Sequence, residues 1–366
     1  MSPNVRIGVV GTSGYTDFMY GPALQSHPRA EWTAICGRKR SRAEEMAAKY
    51  GVPQVFTDYR EMIAHGNLDA VIVAAPDDQH YEMTMQALAA GLHVLCEKPL
   101  AVTAQQAREM YEKAEAARVT HMVYFTYRWM PFFQYARALI DQGVIGRCYH
   151  CEFRYLMGGG RKPEYQWRFD QDRANGTLGN LGVHMIDLAR WLIGDITQVK
   201  AELGVFVDRP GIGSDPINPA NDSALLLVEF ANHAQGLIQA SAVAHIADRG
   251  MEQQIRFYGE AGSLEINVIY WGSGAGATIV AARNSEDVFQ SLEVPNSYWG
   301  DVSRAKPIDI FKSKPVGSRL FVEAILENRP AAPSFYDGYK AQQVIEAALE
   351  SHRSGRAVTI LDTANG

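Results

Sequence analysis

The chain has 366 residues, of which 47% are hydrophobic and 21% are charged, and its formal net charge is −6. This length and composition are typical of a globular protein with two domains. The negative charge, which no block of lysine and arginine offsets, argues against nucleic acid as a partner. The sequence also lacks the roughly 18 successive apolar residues of a membrane span, so we expect no membrane partner.

The amino terminus, Met1-Ser2-Pro3-Asn4, runs directly into a predicted strand, so we expect no signal peptide and a cytoplasmic location. Four cysteines in a chain of this length fit a reducing compartment. Cys148 and Cys151 have the spacing of a metal-binding or redox pair, but the segment around them has the pattern of a strand. No second Cys or His pair accompanies them, and we therefore predict no metal site.

Strands and helices alternate over the first 125 residues. Short apolar runs predict strands at 5–10, 32–36, 69–76, 92–95 and 120–125. Helical spacing follows the first strand through Leu24, and further helices are predicted at 41–50, 80–90 and 103–117. Ser41 is the expected N-cap and Gly51 the expected C-cap of the 41–50 helix. This alternation predicts βαβ units, and hence a parallel sheet with right-handed crossovers.

The pattern changes after residue 126. A helix is predicted over 131–142, and a terminal helix over 337–354, where apolar residues recur at helical spacing. Strand-like segments joined by turns with Gly, Asn and Pro lie between them, at 147–156, 197–207, 222–231, 234–244, 253–258 and 263–268. We therefore predict an α+β domain built on a largely antiparallel sheet, with the change of domain near 125–130.

The run Gly11-Thr12-Ser13-Gly14, followed by Tyr15, joins the first predicted strand to a helix. A dinucleotide fingerprint requires this context, because glycine lets the backbone approach a pyrophosphate and a helix N-terminus favours its charge. The two glycines are one residue further apart than in G-x-G, and no third glycine stands where the fingerprint has one. A generic turn is the alternative, but the position after strand one favours nucleotide binding.

Gly37-Arg38-Lys39-Arg40 follows the second predicted strand, where NAD-binding domains usually carry Asp or Glu to hold the ribose 2′-hydroxyl. This chain has no acid at that point, and its cations could bind a 2′-phosphate. A solvated turn of charges is the alternative. These residues therefore favour NADP(H) over NAD(H).

Cys96-Glu97-Lys98-Pro99 follows the apolar run 92–95. In an open α/β sheet, ligands bind just beyond the carboxyl ends of the strands. A lysine at that edge can orient and polarise a reacting hydroxyl or carbonyl. Taken alone, Lys98 also fits a solvated loop charge.

The segment 180–192 is apolar almost all round, which predicts a buried helix. Asn180, His184 and Asp187 stand at i, i+4 and i+7 and hence on one face. Buried polar groups must be satisfied, so this stripe either closes an internal hydrogen-bond network or faces a site. Histidine is the side chain best suited to take a proton near neutral pH.

Tyr127-Arg128-Trp129 comes directly after the last predicted strand of the first domain. Aromatic and cationic groups there suit a polyhydroxylated ligand, although core packing explains the aromatic residues equally well. The loop 158–162, with three glycines and two cations, is predicted to be mobile, and an anion-binding lid is the alternative.

Together these residues resemble the glucose–fructose oxidoreductase / inositol dehydrogenase (Gfo/Idh/MocA) family over nearly the whole chain. The resemblance rests on the strand-one turn, Glu97-Lys98-Pro99, Arg128-Trp129-x-Pro131, the helix between Gly179 and Gly194, and Asp337-Gly338. It implies an α/β protein with a Rossmann NAD(P)-binding domain over 1–125 and an α+β domain over 126–366. The large open, mainly antiparallel sheet of the second domain is implied to form the interface of a homodimer or homotetramer.

The resemblance also implies hydride transfer between nicotinamide and a hydroxyl-bearing carbon of a sugar, sugar derivative or cyclitol. Lys98 matches the family's catalytic lysine and His184 its usual proton-transferring histidine. Asn180, a third candidate catalytic residue, falls where many members carry an aspartate. His184 would take the hydroxyl proton, Lys98 would stabilise the developing negative charge, and Asp187 would anchor either the helix or His184 from behind.

The candidate cofactor-binding residues are Gly11, Thr12, Ser13, Gly14, Tyr15, Gly37, Arg38, Lys39, Ala75, Pro76, His80, Glu97 and Lys98. The candidate substrate-binding residues are Lys98, Tyr127, Arg128, Trp129, Tyr155, Trp167, Arg168, Asn180 and His184. Two alternatives stay open. One is an NAD(P)-dependent enzyme that cleaves glycosides by transient sugar oxidation and elimination. The other is a non-catalytic NAD(P)-binding sensor or subunit, which would need neither Lys98 nor His184.

Overall fold

The structure, a computed structural model, describes residues 4–211 and 216–360, so the expectation of no signal peptide falls on residues 1–3, outside the described part. The chain divides into two compact units. The first unit comprises Met1–Thr126 and Ile308–Gln342, and the second comprises Tyr127–Pro307 and Gln343–Gly366. The sequence predicts one boundary near 125–130, whereas the segment 308–342 clusters with the first unit.

The helices and strands alternate in the first unit and separate in the second. The strands are β1 (Val5–Val10), β2 (Ala30–Cys36), β3 (Gln54–Phe56), β4 (Ala70–Val73), β5 (His93–Cys96), β6 (His121–Val123), β7 (Cys148–Met157), β8 (Ile196–Gly204), β9 (Ser223–Phe230), β10 (Gln235–Ser241), β11 (Met251–Gly259), β12 (Gly262–Ile269), β13 (Gly276–Arg283), β14 (Gln290–Leu292) and β15 (Val358–Thr359). The helices are α1 (Gly21–Gln25), α2 (Arg40–Tyr50), α3 (Tyr59–His65), α4 (Asp77–Ala89), α5 (Ala104–Ala117), α6 (Pro131–Asp141), α7 (Val183–Leu192), α8 (Asn296–Trp299), α9 (Ile310–Ser313), α10 (Ser318–Leu326) and α11 (Phe335–Ser354).

The first unit is built on a parallel sheet with the strand order β3-β2-β1-β4-β5-β6. Each pair of neighbours in this sheet is parallel, and β1 lies between β2 and β4. All four residues of β4 are buried, as expected for a strand covered on both faces. This strand order is that of a doubly wound dinucleotide-binding domain, which confirms the predicted Rossmann fold.

Local signals account for some of the first unit's helix ends. Gly51 ends α2 with φ of 70°, as predicted. The helix begins at Arg40 with Lys39 at its N-cap, so the predicted cap at Ser41 is wrong. The sequence also misses β3 and α3, although the carboxylate of Asp58 caps α3 by accepting a hydrogen bond from the backbone N–H of Arg60.

The segment 308–342 joins the first unit because its apolar face covers the parallel sheet. Phe321 and Val322 on α10 are fully buried, and the helix packs against β1 and β5. Beyond it, the carbonyl of Pro333 accepts a hydrogen bond of 3.0 Å from the backbone N–H of Val123 at the β6 edge. Periodicity shows that such a helix has an apolar face but not which sheet that face covers.

The second unit is built on a larger sheet with the order β14-β13-β12-β11-β7-β10-β9-β8-β15. Its neighbouring strands are antiparallel apart from β7 and β10, which run parallel. Along β9 one face is buried, whereas Leu225 and Leu227 on the other face are 42% and 60% exposed. The predicted open, mainly antiparallel sheet is therefore confirmed.

Each of the four cysteines is a buried free thiol. Across the described ranges, the structure contains no cluster of three or more His, Cys, Asp or Glu side chains that could hold a metal ion. No helix among the described residues is both long and apolar enough to cross a bilayer. The cytoplasmic location stays a prediction.

Candidate active site

The chain passes very close to the end of β4 as it leaves β1. Gly11 has φ of 122°, and a Cβ built on it would lie 2.2 Å from the carbonyl oxygen of Ala74. Its backbone N–H donates a 2.9 Å hydrogen bond to the carbonyl of Cys36. Only glycine fits this turn, because a side chain would meet both steric overlap and an unfavourable φ.

The turn after Gly11 suits a dinucleotide. Ser13 and Gly14 are exposed, Tyr15 is 40% exposed, and a Cβ on Gly14 would meet no atom within 4 Å. Ser13 Oγ accepts a 3.2 Å hydrogen bond from the backbone N–H of Thr16, at the start of the π-helical turn Thr16–Tyr20. A helix N-terminus with open space beside glycine can take a pyrophosphate, so these residues fit the predicted cofactor.

Beyond β2 the chain presents cations rather than a carboxylate. Gly37 is buried, and a Cβ built on it would lie 2.4 Å from Thr12 Cγ2. The loop after β2 therefore packs closely against the turn after β1. Arg38 and Lys39 are exposed. The two loops thus lie together at the carboxyl edge of the sheet, where a nucleotide's ribose would reach them.

The Lys98 turn is fixed by a buried carboxyl group. Glu97 is 7% exposed, and its Oε1 accepts a 2.6 Å hydrogen bond from the hydroxyl of fully buried Tyr20. Its Oε2 accepts the backbone N–H of Lys98 at 3.2 Å. Burial raises the pKa of Glu97 to about 7, although Lys98 and the two hydrogen bonds act against the shift. Lys98 itself is half-buried at the carboxyl end of β5.

His80 holds the same turn from the other side. Its ring is fully buried, with Nδ1 2.8 Å from the carbonyl oxygen of Pro99 and Nε2 2.9 Å from that of Ala75. Burial lowers the pKa of this imidazole, against the effect of the two carbonyls. Both ring nitrogens face protein backbone, so His80 ties the loop after β4, with half-buried Ala75 and Pro76, to the Lys98 turn. A direct contact of His80 with the cofactor stays a prediction.

In the second unit, His184 lies on α7 beneath aromatic rings. Its side chain is 7% exposed, and its ring centroid is 4.6 Å from that of Tyr127 and 6.3 Å from that of Tyr155. The hydroxyls of Tyr127 and Tyr155 are hydrogen-bonded at 2.7 Å. The structure therefore brings together three of the predicted site residues in this unit.

A buried ion pair anchors α7. Arg128 donates from Nε to Asp187 Oδ2 at 2.9 Å and from Nη2 to Oδ1 at 2.5 Å, and the two side chains are 10% and 2% exposed. Asp187 thus anchors the helix, as expected. The Nε and Nη2 atoms of Arg128 are engaged by Asp187, and the predicted substrate contact by Arg128 stays a prediction. Trp129 is 6% exposed and belongs to the core.

The helix that carries His184 begins differently from the prediction. Residues Leu178–Gly182 form a π-helical turn, and the α-helical part starts at Val183. Asn180 lies in the π turn and is half-buried. Asn221, which the sequence reasoning missed, holds this turn. Its Oδ1 accepts the backbone N–H of Leu178 at 2.9 Å, and its Nδ2 donates to the carbonyl of Asn175 at 2.9 Å.

The loop after β7 is hydrogen-bonded to the rest of the second unit at Gly160, and its predicted mobility stays a prediction. The Gly160 N–H donates to the carbonyl of Ala242 at 2.8 Å, and its carbonyl accepts from Arg209 Nη2 at 2.6 Å. Arg209 is paired with fully buried Asp222 at 3.1 Å and lies 3.8 Å from the Phe169 ring centroid. No sequence motif marks Arg209 or Asp222.

Trp167 and Arg168 follow on the same loop as Gly160. Both are half-buried, with the Arg168 guanidinium 5.3 Å from the Trp167 ring centroid. The backbone N–H of Phe169 donates a 2.9 Å hydrogen bond to the carbonyl of Gln166, which closes the turn that presents these two predicted substrate contacts.

Comparison with known proteins bears on this geometry. The family model GFO_IDH_MocA, "Oxidoreductase family, NAD-binding Rossmann fold", matches residues 5–125, and the GFO/IDH/MocA C-terminal domain model matches residues 133–265. D-xylose 1-dehydrogenase (NADP(+)) 2 of Haloferax volcanii is 32% identical over 97% of this chain and 100% of its own. Levoglucosan dehydrogenase of Pseudarthrobacter phenanthrenivorans is 29% identical over 95% of this chain and 96% of its own.

A solved structure of levoglucosan dehydrogenase in complex with NADH and levoglucosan is similar to this chain. The TM-score is 0.85 and the sequence identity 26%, and the match covers 98% of this chain and 99% of that one. The strand order, the glycine turn after β1 and the fixed Lys98 turn are thus accompanied by sequence similarity along both units. The chain belongs to the Gfo/Idh/MocA family of NAD-binding oxidoreductases.

Proposed function

We propose that the protein transfers a hydride between nicotinamide and a hydroxyl-bearing carbon of a sugar, sugar derivative or cyclitol. The observation that carries this proposal is the position of Lys98 at the carboxyl end of β5. Glu97 accepts a hydrogen bond from the backbone N–H of Lys98, and His80 contacts the carbonyl of the following Pro99. A structural lysine needs no such support. The relatives named for D-xylose, levoglucosan and D-glucoside oxidation support the substrate class.

The dinucleotide would be held by Gly11, Ser13 and Gly14 at its pyrophosphate. When bound, it supplies the hydride acceptor or donor. Arg38 and Lys39 would bind a 2′-phosphate, since the end of β2 offers cations and no carboxylate. We therefore favour NADP(H) over NAD(H). NADH is the cofactor in the solved structure of levoglucosan dehydrogenase, whereas the D-xylose 1-dehydrogenase is named for NADP(+).

His184 would take the hydroxyl proton during oxidation. A nearly buried imidazole packed against Tyr127 has few orientations, and the Arg128–Asp187 pair fixes the helix that carries it. Lys98 would donate a hydrogen bond to the reacting oxygen and stabilise its developing negative charge. Asn180 would hydrogen-bond substrate or orient His184, and as a neutral amide it adds no charge.

A panel of sugars, cyclitols and aryl glycosides tests this function. Purified protein is assayed with NAD⁺ and NADP⁺, and nicotinamide absorbance and released aglycone are followed together. We expect cofactor reduction with at least one sugar and its loss in Lys98→Ala. The exposed lysine variant Lys113→Ala is the matched control and should retain activity. No hydride transfer with any member refutes the proposal, and aglycone release without net reduction favours redox-neutral glycoside cleavage.

Self-association through the open face of the second unit's sheet is a second part of the proposal. Leu225 and Leu227 stand on that face, and exposed neighbouring leucines on one face of a sheet favour burial against a partner. Light scattering should show a homodimer or homotetramer that Leu227→Lys weakens. A monomer at micromolar concentration contradicts the proposed self-association and leaves the proposed hydride transfer unaffected.

A further inference from the structure

One end of the second unit's sheet gathers several loops. The register pairs Met157 with Met251 and Glu252 with Ile269, so β7 and β12 end where β11 begins. The loops that follow β7 and β12 therefore emerge at the same end as the loop that precedes β11. The predicted substrate residue Tyr155 lies two residues before the end of β7.

A row of aromatic rings leads from His184 to this end. The Tyr127 ring centroid lies 4.6 Å from that of His184 and 5.8 Å from that of Tyr270. Tyr270 is followed by Trp271, with ring centroids 6.5 Å apart. Exposure rises from 8% at Tyr127 to 53% at Trp271. The row thus starts at the predicted proton acceptor and ends at a half-exposed indole.

Trp271 is held in place by its surroundings. Its carbonyl accepts a 2.9 Å hydrogen bond from the backbone N–H of Gly250. The indole lies directly against that glycine, since a Cβ built there would be 1.3 Å from Nε1. The neighbouring Ser273 hydroxyl donates to Asp248 across the same two loops. A large apolar ring fixed with half of its surface in water adds little to the core.

We propose that Trp271 is the binding platform for a second ring of the substrate, which is therefore a glycoside or disaccharide rather than a single sugar. This inference rests on the proposed function and specifies its substrate class. The C–H faces of a pyranose are apolar and slightly positive, and an indole face is apolar and negative, so the two stack. Three successive ring contacts separate Trp271 from His184, so a ring on Trp271 is not the one that reacts.

The experiment compares two-ring with one-ring substrates. For each variant, kcat/KM is measured for cellobiose, maltose and xylobiose and for D-glucose and D-xylose. Trp271→Ala should lower the two-ring to one-ring ratio roughly tenfold, about the value of one aromatic stacking contact. Gly250→Ala should lower it too, because its Cβ displaces the indole. Trp271→Phe keeps a stacking face and should retain most of the ratio.

Tyr149→Ala is the matched control. Tyr149 is a 40% exposed aromatic residue at the opposite end of β7, and its variant should leave the ratio unchanged. Tryptophan fluorescence gives a readout besides turnover. Cellobiose should shift the emission of the wild-type protein to the blue, and Trp271→Phe should abolish the shift.

The outcomes separate this inference from the proposed function. An unchanged ratio in Trp271→Ala, or a wild-type preference for single rings, overturns the platform while the dehydrogenase activity stands. A wild-type protein that oxidises no sugar overturns the proposed chemistry. In that case, a fluorescence shift that cellobiose induces in the wild-type protein but not in Trp271→Phe still supports ring binding at Trp271. If cellobiose induces no shift in the wild-type protein, ring binding at Trp271 is overturned as well.

Discussion

Replacing Arg128 with methionine should destabilise the second unit strongly. The guanidinium makes two hydrogen bonds to Asp187, and the two side chains are only 10% and 2% exposed. Removing one partner of a buried pair leaves an uncompensated charge, which costs about 3–5 kcal/mol. Solvent and salt do little to reduce this cost, because Asp187 is almost inaccessible. Since α7 carries His184, turnover should fall with stability.

Urea unfolding followed by tryptophan fluorescence measures the effect, because five of the six tryptophans lie in the second unit. The double variant Arg128→Met with Asp187→Leu should recover most of the lost stability, since a well-packed apolar pair often replaces a buried ion pair at little cost. Arg353→Met, which breaks the Arg353–Glu350 pair in which Arg353 is 74% exposed, is the control and should cost less than about 1 kcal/mol. A loss below about 1 kcal/mol in Arg128→Met, or a double variant as unstable as the single one, would refute this reasoning.

Three further predictions concern the first unit and the proton transfer. Arg38→Ala should shrink the preference for NADPH over NADH by roughly tenfold, the value of one charge-assisted contact. Calorimetric titration measures both affinities, and an equal loss of affinity for NADPH and NADH would contradict a 2′-phosphate contact. Lys98→Ala and His184→Ala should each lower turnover by about a hundredfold or more with little change in cofactor affinity. Near-normal turnover of either variant in steady-state assays would contradict a catalytic role for the residue it replaces. Burial raises the pKa of Glu97 from 4.5 to about 7, so the folded state retains a proton that the unfolded state releases, and the free energy of unfolding should fall as pH rises through that window. Glu97→Gln should remove this fall in the free energy of unfolding, which amounts to up to about 3 kcal/mol. Parallel pH profiles of urea unfolding for the two proteins would show that ionisation of Glu97 does not cause the fall.

Features set by local residue patterns could be read from the sequence. Buried runs such as Val5–Val10 define strands because a parallel sheet is covered on both faces. Gly51 ends α2 because few residues other than glycine adopt its φ without strain. The Lys98 turn can be predicted because a strand end followed by lysine and proline is a local signal. An anchoring role for Asp187 can also be predicted, since a buried carboxylate needs a partner, and its ion pair with Arg128 agrees with that role.

Features that depend on distant contacts could not be read. The π turn at Leu178–Gly182 is held by Asn221, and helical periodicity carries no sign of a partner so far along the chain. The aromatic sequence neighbours of Arg128 do not indicate its ion pair with Asp187, which lies far along the chain. The position of His80 after β4 likewise does not show that its two ring nitrogens face the carbonyls of Pro99 and Ala75.

The late return of the chain to the first unit affects how that unit forms during synthesis. The helix α10 packs on β1 and β5, yet it follows Thr126 by roughly 190 residues, which takes roughly 10–40 s to synthesise at 5–20 residues per second. During that interval the nascent parallel sheet lacks the cover of Phe321 and Val322, so its apolar face is open to chaperones and to other nascent chains. The second unit's strands are all but complete by then. A chain released at Pro307 should therefore have a first unit that proteases cleave readily, whereas the same unit of the full-length chain should resist cleavage.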